Sequence, residues 1–428
     1  MGTRRAQAYS LIRRKCKIAS QGHTSGMKIP LASSGLRDKD IAKLNQVLNS
    51  GNVTMGEQVR NFESSMAKYL GVDHFIMVNS GSSANLAIFE ALLRPAKTEP
   101  ILRVGDEVLV PAIAWPTTIW PVIQLGLKPV FCDVNPDTYG IDMVLARAIL
   151  TQTQHKIRAI FPIHPLGYAL DSSEIHKLCL EFDLVEIYDT CEALGSFRNN
   201  VHAGTDGIAA SFSFYFSHHL TTMEGGGVAT NSSTLADDLR SIRSHGWSRD
   251  RADSSEWIYG NSNTDKKFTF VSTGFNLRPM EIQAAVGISQ LEDLDSFIEK
   301  RRKIASMVKS AIEGTFLSLI EGDAVDTANA KQHSRMLIAI QDERGRNSKE
   351  TVRAALEKRG IETRPPLTGN FLAQPAAKRV IDRSFDPSNF ANAQYLTDNS
   401  FLIGCHHDYS ADQIRFLIDS LHEIAHTG

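Results

Sequence analysis

The stretch HFIMVNSGSSANLAIFEALL, residues 74–93, decides the fold class. It opens with a short apolar run, which is typical of a buried strand. The polar residues NSGSS then indicate a turn, and the apolar residues that follow recur at helical spacing. A strand that leads directly into a helix is the building unit of an α/β domain with a parallel sheet.

The same alternation extends outward from this stretch, from Lys28 to about Glu292. Further strands are predicted in DEVLVPA, KPVFCDV, IRAIFPIH and LVEIYDT, and their carboxyl ends carry unusual polar residues. Ligands bind at that edge of open α/β sheets. The sequence therefore predicts an α/β domain with a mostly parallel sheet and a functional site at the carboxyl edge.

The C-terminal part has a different pattern. A helical pattern over residues 279–314 is too long for one compact helix and predicts a bend or break. RMLIAIQ, KETVRAALEKRG, IETRPPL and ADQIRFLIDSLHEIAH follow it and predict a smaller α+β domain. We therefore expect a basic flexible extension over residues 1–26, a large domain over 27–300 and a small domain over 301–428. A true start at Met27 is the alternative for the extension.

Composition excludes several classes of protein. The 428 residues are 42% apolar and 22% charged, with a net charge of −2, so no global charge points to nucleic acid or to an anionic membrane as partner. No apolar run approaches the ~18 residues of a transmembrane helix. The five cysteines are scattered, which predicts reduced thiols in a cytoplasm and neither a metal site nor a disulfide framework.

Three features at the carboxyl edge are suited to a ligand. Ser82 and Ser83 stand at a helix N-terminus, where a single phosphate would bind, although serine is also an ordinary N-cap. Asp189 ends a buried strand and needs a cationic or N–H partner, for example a protonated pyridine nitrogen, a buried salt bridge or a cap. Trp115 follows another strand, where its indole would either cover an aromatic cofactor or simply pack.

A second stretch, SFSFYFSHHLTTMEGGG at residues 211–227, is typical of a segment that carries a reactive residue. Strand periodicity places Ser211, Ser213 and Tyr215 on one face and the three phenylalanines on the other. The turn that follows would present His218 and His219.

Together these segments resemble the sugar aminotransferase (DegT/DnrJ/EryC1/StrS) family of fold-type I pyridoxal-phosphate enzymes, from about Pro30 to the C-terminus. The matching pieces are NSGSSANLAI, GDEVLVPAIAWPTT, PVFCDVNPDTYGID, PIHPLG, YDTCEALGS, SFSFYFSHHLTTMEGGGVATN and GFNLRPMEIQAAVGISQLE. The resemblance implies an aspartate-aminotransferase-like fold and a homodimer with shared active sites.

The resemblance also implies a role for each matching residue. Ser82, Ser83 and Ser213 would hold the cofactor phosphate, and Trp115 would stack on the pyridine ring. Asp189 would pair with the ring nitrogen, and Glu192 would lie near the phenolic oxygen. Asn276 would reach the phosphate of the neighbouring subunit. His245, in the segment RSHGWSRD, would approach the active site. From its chemistry alone, Arg364 could meet a phosphate or carboxylate of the substrate. His219 would contact the substrate, pack in the interior or orient its neighbour.

One departure from the family pattern falls in the second stretch. Where aminotransferases of this family have the lysine that anchors the cofactor, this chain has His218, and it has no lysine between Lys177 and Lys266. Imidazole forms no stable imine, but it titrates near neutrality and can move protons. In this respect the chain resembles the lysine-less branch of the family, the nucleotide-sugar 3-dehydratases. The resemblance to the cluster-free members of that branch implies pyridoxal or pyridoxamine phosphate as cofactor and glutamate as amino donor.

Membership of that branch would imply removal of the C3 hydroxyl from a nucleotide-linked 4-keto-6-deoxyhexose, with GDP-4-keto-6-deoxymannose as the expected substrate. Some relatives act on a CDP-linked sugar and carry an iron–sulfur cluster. Here only Cys405 lies beyond Cys191, so we expect no cluster. A sugar aminotransferase that tolerates the missing lysine and a catalytically inactive binding relative remain as alternatives.

Overall fold

The computed structural model describes residues 26–427, apart from 34, 153–155, 261–264, 266, 322–332 and 382–384. The predicted extension therefore lies outside the described residues, except for Gly26. Among the described helices, none is long and apolar enough to cross a bilayer.

A large sheet forms the centre of the molecule. The strands of the first part of the chain are β1 His74–Val78, β2 Glu107–Pro111, β3 Lys128–Cys132, β4 Ile157–Ile160, β5 Val185–Asp189, β6 Phe197–Arg198, β7 Val201–His202, β8 Ala209–Ser213 and β9 Gly226–Thr230. Seven of them pair in the order β1-β9-β8-β5-β4-β2-β3, and β6 with β7 makes a separate ribbon. Only β9 runs antiparallel to its neighbours in the large sheet. The predicted mostly parallel sheet is confirmed.

Helices cover both faces of this sheet. They are α1 Asp38–Ser50, α2 Glu57–Leu70, α3 Gly81–Leu93, α4 Pro116–Gln124, α5 Met143–Leu150, α6 Ser172–Phe182, α7 Ser233–Ile242, α8 Ser254–Gly260, α9 Glu281–Leu291 and α10 Leu294–Ile312. Alternate residues of β1 enter two separate cores, with Ile76 and Val78 in one and Phe75 and Met77 in the other. This two-sided burial is why the strands are apolar throughout.

The long helical pattern breaks between α9 and α10, as predicted. The first half of α10 packs against the large domain through Ile298, and the second half contributes Ile304 and Val308 to a third core. The predicted boundary between residues 300 and 301 lies inside this helix and stays a prediction.

The C-terminal part is a smaller α+β unit, as expected. Its elements are β10 Leu317–Leu319, β11 Leu337–Asp342, α11 Arg346–Lys358, β12 Thr363–Arg364, α12 Ala377–Val380, α13 Ala391–Asn399, β13 Ser400–Gly404 and α14 Ala411–Thr427. The four strands form an antiparallel sheet in the order β10-β11-β13-β12.

The aromatic strand is shorter than its sequence period suggests. The strand β8 ends at Ser213, and Phe214 still pairs with Gly225, but Tyr215 starts a turn in which its carbonyl accepts the N–H of His218 at 3.0 Å. The predicted placement of the three phenylalanines on one strand face is therefore correct for Phe212 and Phe214, which are buried. It is wrong for Phe216, which is exposed in the turn.

Candidate active site

A cavity of about 380 Å³ opens at the carboxyl edge of the large sheet. It lies where β5 and β8 end and where the segments after β1 and β2 begin. Seven predicted site residues line it: Ser82, Trp115, Asp189, Glu192, Ser213, His218 and Arg364. Four others do not line it: Ser83, His219, His245 and Asn276.

The first corner of the cavity is the N-terminus of α3. Ser80 is the N-cap, and its Oγ accepts the N–H of Ser83 at 3.1 Å and donates to the Ser83 Oγ at 2.9 Å. Ser83 is thus engaged in the cap, while Ser80, Gly81 and Ser82 line the cavity. The first-turn N–H groups of Gly81 and Ser82 have no intrahelical acceptor, which suits an anion.

Gly81 allows this helix end to approach β8 closely. A Cβ atom at Gly81 would lie 2.6 Å from Cβ of Ser213 and 2.8 Å from Sγ of Cys191. Any larger residue would push α3 away from the strand. The absence of a side chain therefore brings the helix N-terminus and the Ser213 hydroxyl into one corner, which fits a single phosphate group.

Asp189 stands at the base of the cavity and is 5% exposed. Its Oδ2 accepts hydrogen bonds from Asn85 at 2.9 Å and from Thr118 at 2.8 Å. Its Oδ1 accepts from the N–H of Cys191 at 3.1 Å and from Ser211 at 3.4 Å. Within the described part of the chain every donor to this carboxylate is neutral. The salt-bridge alternative is thus not observed there, and the charge is available to a cationic nitrogen in the cavity.

Trp115 forms one wall of the cavity. It is the N-cap of α4 and is 50% exposed, so it is not a core tryptophan. The guanidinium of Arg364, on β12, lies 5.7 Å from the indole centroid. The small domain therefore contributes a cation beside the one large aromatic face among the predicted site residues.

Glu192 faces the cavity from the loop after β5. Its Oε2 accepts the N–H of Leu166 at 2.8 Å, and Leu166 has a φ of 53°, which is unusual for a residue other than glycine. Burial raises the pKa of Glu192 to about 7, although the Leu166 N–H and the charge of Arg364 favour its ionised form. The carboxyl group is therefore poised between donor and acceptor near neutral pH.

Replacing Glu192 with glutamine is expected to raise the melting temperature of the cofactor-free protein above pH 7 by about 2–4 °C. Because the folded pKa lies above the usual value of 4.5, the native state holds a proton that the unfolded chain releases. Stability from this group is therefore lost as pH rises from about 4.5 to about 7. Calorimetry at pH 5 and pH 8 measures the melting temperatures of the wild type and the variant. Glu313→Gln, at an exposed position, is the control and should show no such change. Equal gains at both pH values would contradict the assignment.

His218 lies in the turn that follows β8. Its N–H donates to Tyr215 O, its Nδ1 lies 3.4 Å from the Ser217 hydroxyl, and its carbonyl accepts from Arg301 at 3.1 Å. Burial, and after it the charges of Arg301 and Arg364, lower the pKa of His218 to about 3. The expectation of an imidazole that titrates near neutrality is therefore not met in this state. Each anionic group that binds in the cavity opposes the two arginines and raises this pKa.

The other predicted residues lie outside the cavity. His219 is 1% exposed, and neither of its ring nitrogens has a hydrogen-bond partner among the described residues. His245 is exposed, with a φ of 64°, and Asn276 pairs with the neighbouring Ser244. His245 and Asn276 thus belong to one pair of segments at the surface. Their roles and that of Ser83 stay predictions.

The remaining cavity residues were not predicted from the sequence. They are Ser80, Gly81, Thr117, Thr118, Ile163, Cys191, Tyr215, Ser217, Glu224, Met336 and Leu367. N-cap preference could have indicated Ser80, because its side chain caps α3. Met336 and Leu367 reach the cavity only through the docking of the C-terminal sheet, and nothing in their local sequence signals it.

Comparison with known proteins identifies relatives of this chain over nearly its whole length. The profile of the DegT/DnrJ/EryC1/StrS aminotransferase family matches residues 35–422. A GDP-4-keto-6-deoxy-D-mannose 3-dehydratase of Yersinia pseudotuberculosis is 35% identical over 398 residues, which are 92% of this chain and 98% of that protein.

Two solved structures are also similar over nearly the whole chain. A GDP-4-keto-6-deoxymannose-3-dehydratase with bound GDP-perosamine has a TM-score of 0.83 and 33% identity, covering 92% of this chain and all of that one. The E. coli GDP-4-keto-6-deoxy-D-mannose-3-dehydratase with bound hydrated PLP has a TM-score of 0.83 and 33% identity, covering 93% and 100%.

Proposed function

This chain belongs to the DegT/DnrJ/EryC1/StrS aminotransferase family, and from that premise we propose that it is a nucleotide-sugar 3-dehydratase. It uses pyridoxal and pyridoxamine phosphate with glutamate as amino donor. Its substrate is a nucleotide-linked 4-keto-6-deoxyhexose, and GDP-4-keto-6-deoxymannose is the expected member of that class. Its product is a 3,6-dideoxy-4-keto sugar.

The observation that carries this proposal is His218 in the cavity wall. The position follows the strand that supplies the cofactor-anchoring lysine in the aminotransferases that the sequence resembles. Among the described residues that line the cavity there is no lysine, and the only imidazole is that of His218. The site therefore offers proton transfer without covalent attachment, which suits removal of a hydroxyl group better than transfer of an amino group.

The cavity residues fit the cofactor. The neutral shell around Asp189 leaves a buried carboxylate for a protonated ring nitrogen, and the Gly81 corner suits one phosphate. Ser82 and Ser213 would bind that phosphate, Trp115 would cover the ring, and Glu192 would lie beside its phenolic oxygen. When bound, the cofactor supplies an amine that joins C4 of the sugar and a ring that accepts electrons.

In this proposal His218 moves the protons. As the neutral base it removes a proton at C4′ of the cofactor, and as imidazolium it donates one to the departing C3 hydroxyl oxygen. The same imidazole serves the return half-reaction with glutamate. The adjacent, buried His219 orients its neighbour, and Arg364 faces the substrate from β12.

The proposal also covers the oligomeric state of the enzyme and its cellular compartment. We place the enzyme in the cytoplasm, in keeping with its unpaired cysteines Cys132, Cys179, Cys191 and Cys405. The active enzyme is a homodimer with shared active sites, in which Asn276 reaches the cofactor phosphate of the partner and His245, on the segment that pairs with Asn276, approaches the substrate. Their position on one surface segment, outside their own cavity, supports this arrangement.

The cluster-bearing alternative finds little support in the described residues. Three of the four cysteines named above are buried in the fold, and they form no group. Among the described residues, the side chains spaced closely enough to bind a metal are those of His406, His407 and Asp408. This group contains no cysteine, so it does not resemble an iron–sulfur site. We expect no iron or sulfide in the purified enzyme.

Turnover of GDP-, CDP-, UDP- and dTDP-4-keto-6-deoxyhexoses with glutamate tests the proposal. We expect the GDP sugar to react with the highest kcat/KM, with ammonia and a 3,6-dideoxy-4-keto product by mass spectrometry. An amino sugar without ammonia would establish the aminotransferase alternative instead. Tight cofactor binding with no turnover of any of the four would favour an inactive relative.

A further inference from the structure

Arg301 is a fully buried cation whose acidic neighbours among the described residues are the Cys405 thiol and the more distant charge of Asp408. It lies on α10 and is 1% exposed. Within the described part of the chain no aspartate or glutamate forms an ion pair with it, and its Nε has no hydrogen-bond partner there. A buried guanidinium remains charged, and burying it unpaired is costly. An apolar residue of similar length would fill the same space at less cost, so the charge calls for a reason.

Its hydrogen bonds go to the main chain around the cavity. Nη1 donates to the carbonyl of Met336 at 2.9 Å, and Nη2 donates to the carbonyl of His218 at 3.1 Å. Both acceptor residues line the cavity. A single side chain thus ties the helix between the two domains to the turn that carries His218 and to the segment before β11.

The charge of Arg301 also acts on the imidazoles around it. Burial, and after it this charge, lower the pKa of four histidines: His218, His219, His406 and His407. Three of these lie outside the cavity, and only His218 lines it. Of the four histidines that this charge affects, His218 is therefore the one that a ligand in the cavity would meet.

We propose that Arg301 is the positioning residue of His218: its guanidinium binds the carbonyls of His218 and Met336 and so fixes the turn that presents the imidazole to the cavity. The inference rests on the proposed function for the identity of the base. It adds a residue that contacts neither the cavity nor a ligand.

Other titratable groups face His218 and bear on its protonation. They are Tyr215 in its own turn, the adjacent His219, Asp189, Cys191 and Glu192 after β5, Glu224 before β9, and Arg364 on β12. Among the described groups, Arg301 and Arg364 are the cations that lower the pKa of His218. Removal of Arg301 leaves Arg364 as the remaining cation and should ease protonation.

The first test is a titration of histidine-labelled protein with pyridoxamine phosphate bound, followed by NMR from pH 8 down to about pH 3, so that the range reaches the low pKa of His218. His218→Asn assigns the resonance. In Arg301→Met we expect His218 to take up a proton at a pH roughly one unit higher than in the wild type. Arg302→Met removes the next, partly exposed arginine of the same helix and should leave the titration unchanged.

The second test is kinetic. We expect Arg301→Met to reduce kcat for dehydration by about 10- to 100-fold, with KM for the nucleotide sugar within about threefold of the wild type, because the base is misplaced while the substrate groups stay. The acid limb of the kcat profile should move to higher pH. Arg301→Lys keeps the charge but loses one hydrogen bond, so it should lower kcat without moving the acid limb.

The outcomes separate clearly. An unchanged His218 titration and an unchanged kcat in Arg301→Met would overturn the proposal, as would equal losses in Arg302→Met. If Arg301→Met does not fold, Arg301→Lys decides, and a wild-type kcat there would overturn the positioning role. The titration needs no nucleotide sugar. If the wild type dehydrates none, the proposed function fails while the effect of Arg301 on His218 is still measured.

Discussion

Replacing His218 with asparagine is expected to lower kcat for dehydration by about 10³-fold. Asparagine is similar in size and still forms hydrogen bonds, but it cannot take up or release a proton near neutral pH. The cofactor-binding corner around Gly81 and the carboxylate of Asp189 are untouched, so affinity for pyridoxamine phosphate should stay within about threefold. Product formation by mass spectrometry and cofactor affinity by fluorescence measure the two quantities.

Two further variants define this result. His422→Asn, on the exposed side of α14, is the matched control and should behave as the wild type. His218→Lys restores an amine at the position, so it should attach the cofactor covalently, with a mass gain after borohydride reduction, and should also lose dehydration. Undiminished dehydration in His218→Asn would remove His218 from the mechanism.

Replacing Asp189 with asparagine is expected to reduce kcat by about 10²- to 10³-fold. The buried carboxylate is surrounded by neutral donors, so its full negative charge faces whatever cation the cavity holds. An amide keeps the shape but removes the charge, so a bound pyridine nitrogen would lose its proton and accept electrons poorly. Single-turnover absorbance with glutamate reports this half-reaction separately from dehydration.

The control for Asp189 lies in its own hydrogen-bond shell. Thr118→Val removes the 2.8 Å hydrogen bond to Oδ2 and leaves the charge in place. Thr118→Val should lower kcat by about tenfold or less. If Asp189→Asn and Thr118→Val have equal effects, the carboxylate serves as a structural acceptor and its charge is not required.

The fold and part of the site could be predicted because their signals are local. A predicted apolar strand marks the sheet edge where it ends, and Asp189 and Trp115 were predicted in this way. Ser213 was predicted from the family resemblance. The missing lysine was visible because its position is fixed relative to the strand that carries Ser213.

The rest depends on contacts between distant segments. Asn85 and Thr118 meet Asp189 across 104 and 71 residues, and Arg301 meets His218 across 83. The pKa of His218 was misjudged for the same reason, since burial and the charge of Arg301 come from tertiary packing. A sequence pattern gives no measure of either.

The described residues that line the cavity come from two separate stretches of the chain. Those that would hold the cofactor lie between Ser80 and His218, whereas Met336, Arg364 and Leu367 enter from the C-terminal sheet. The residues that would bind the cofactor and those that would face the sugar nucleotide are therefore separate in the chain. Because Leu367 and Phe371 belong to the buried core, the half-buried Arg364 is the position to vary when the enzyme is engineered toward a different sugar nucleotide. Any change there also alters the charge next to His218 and Glu192.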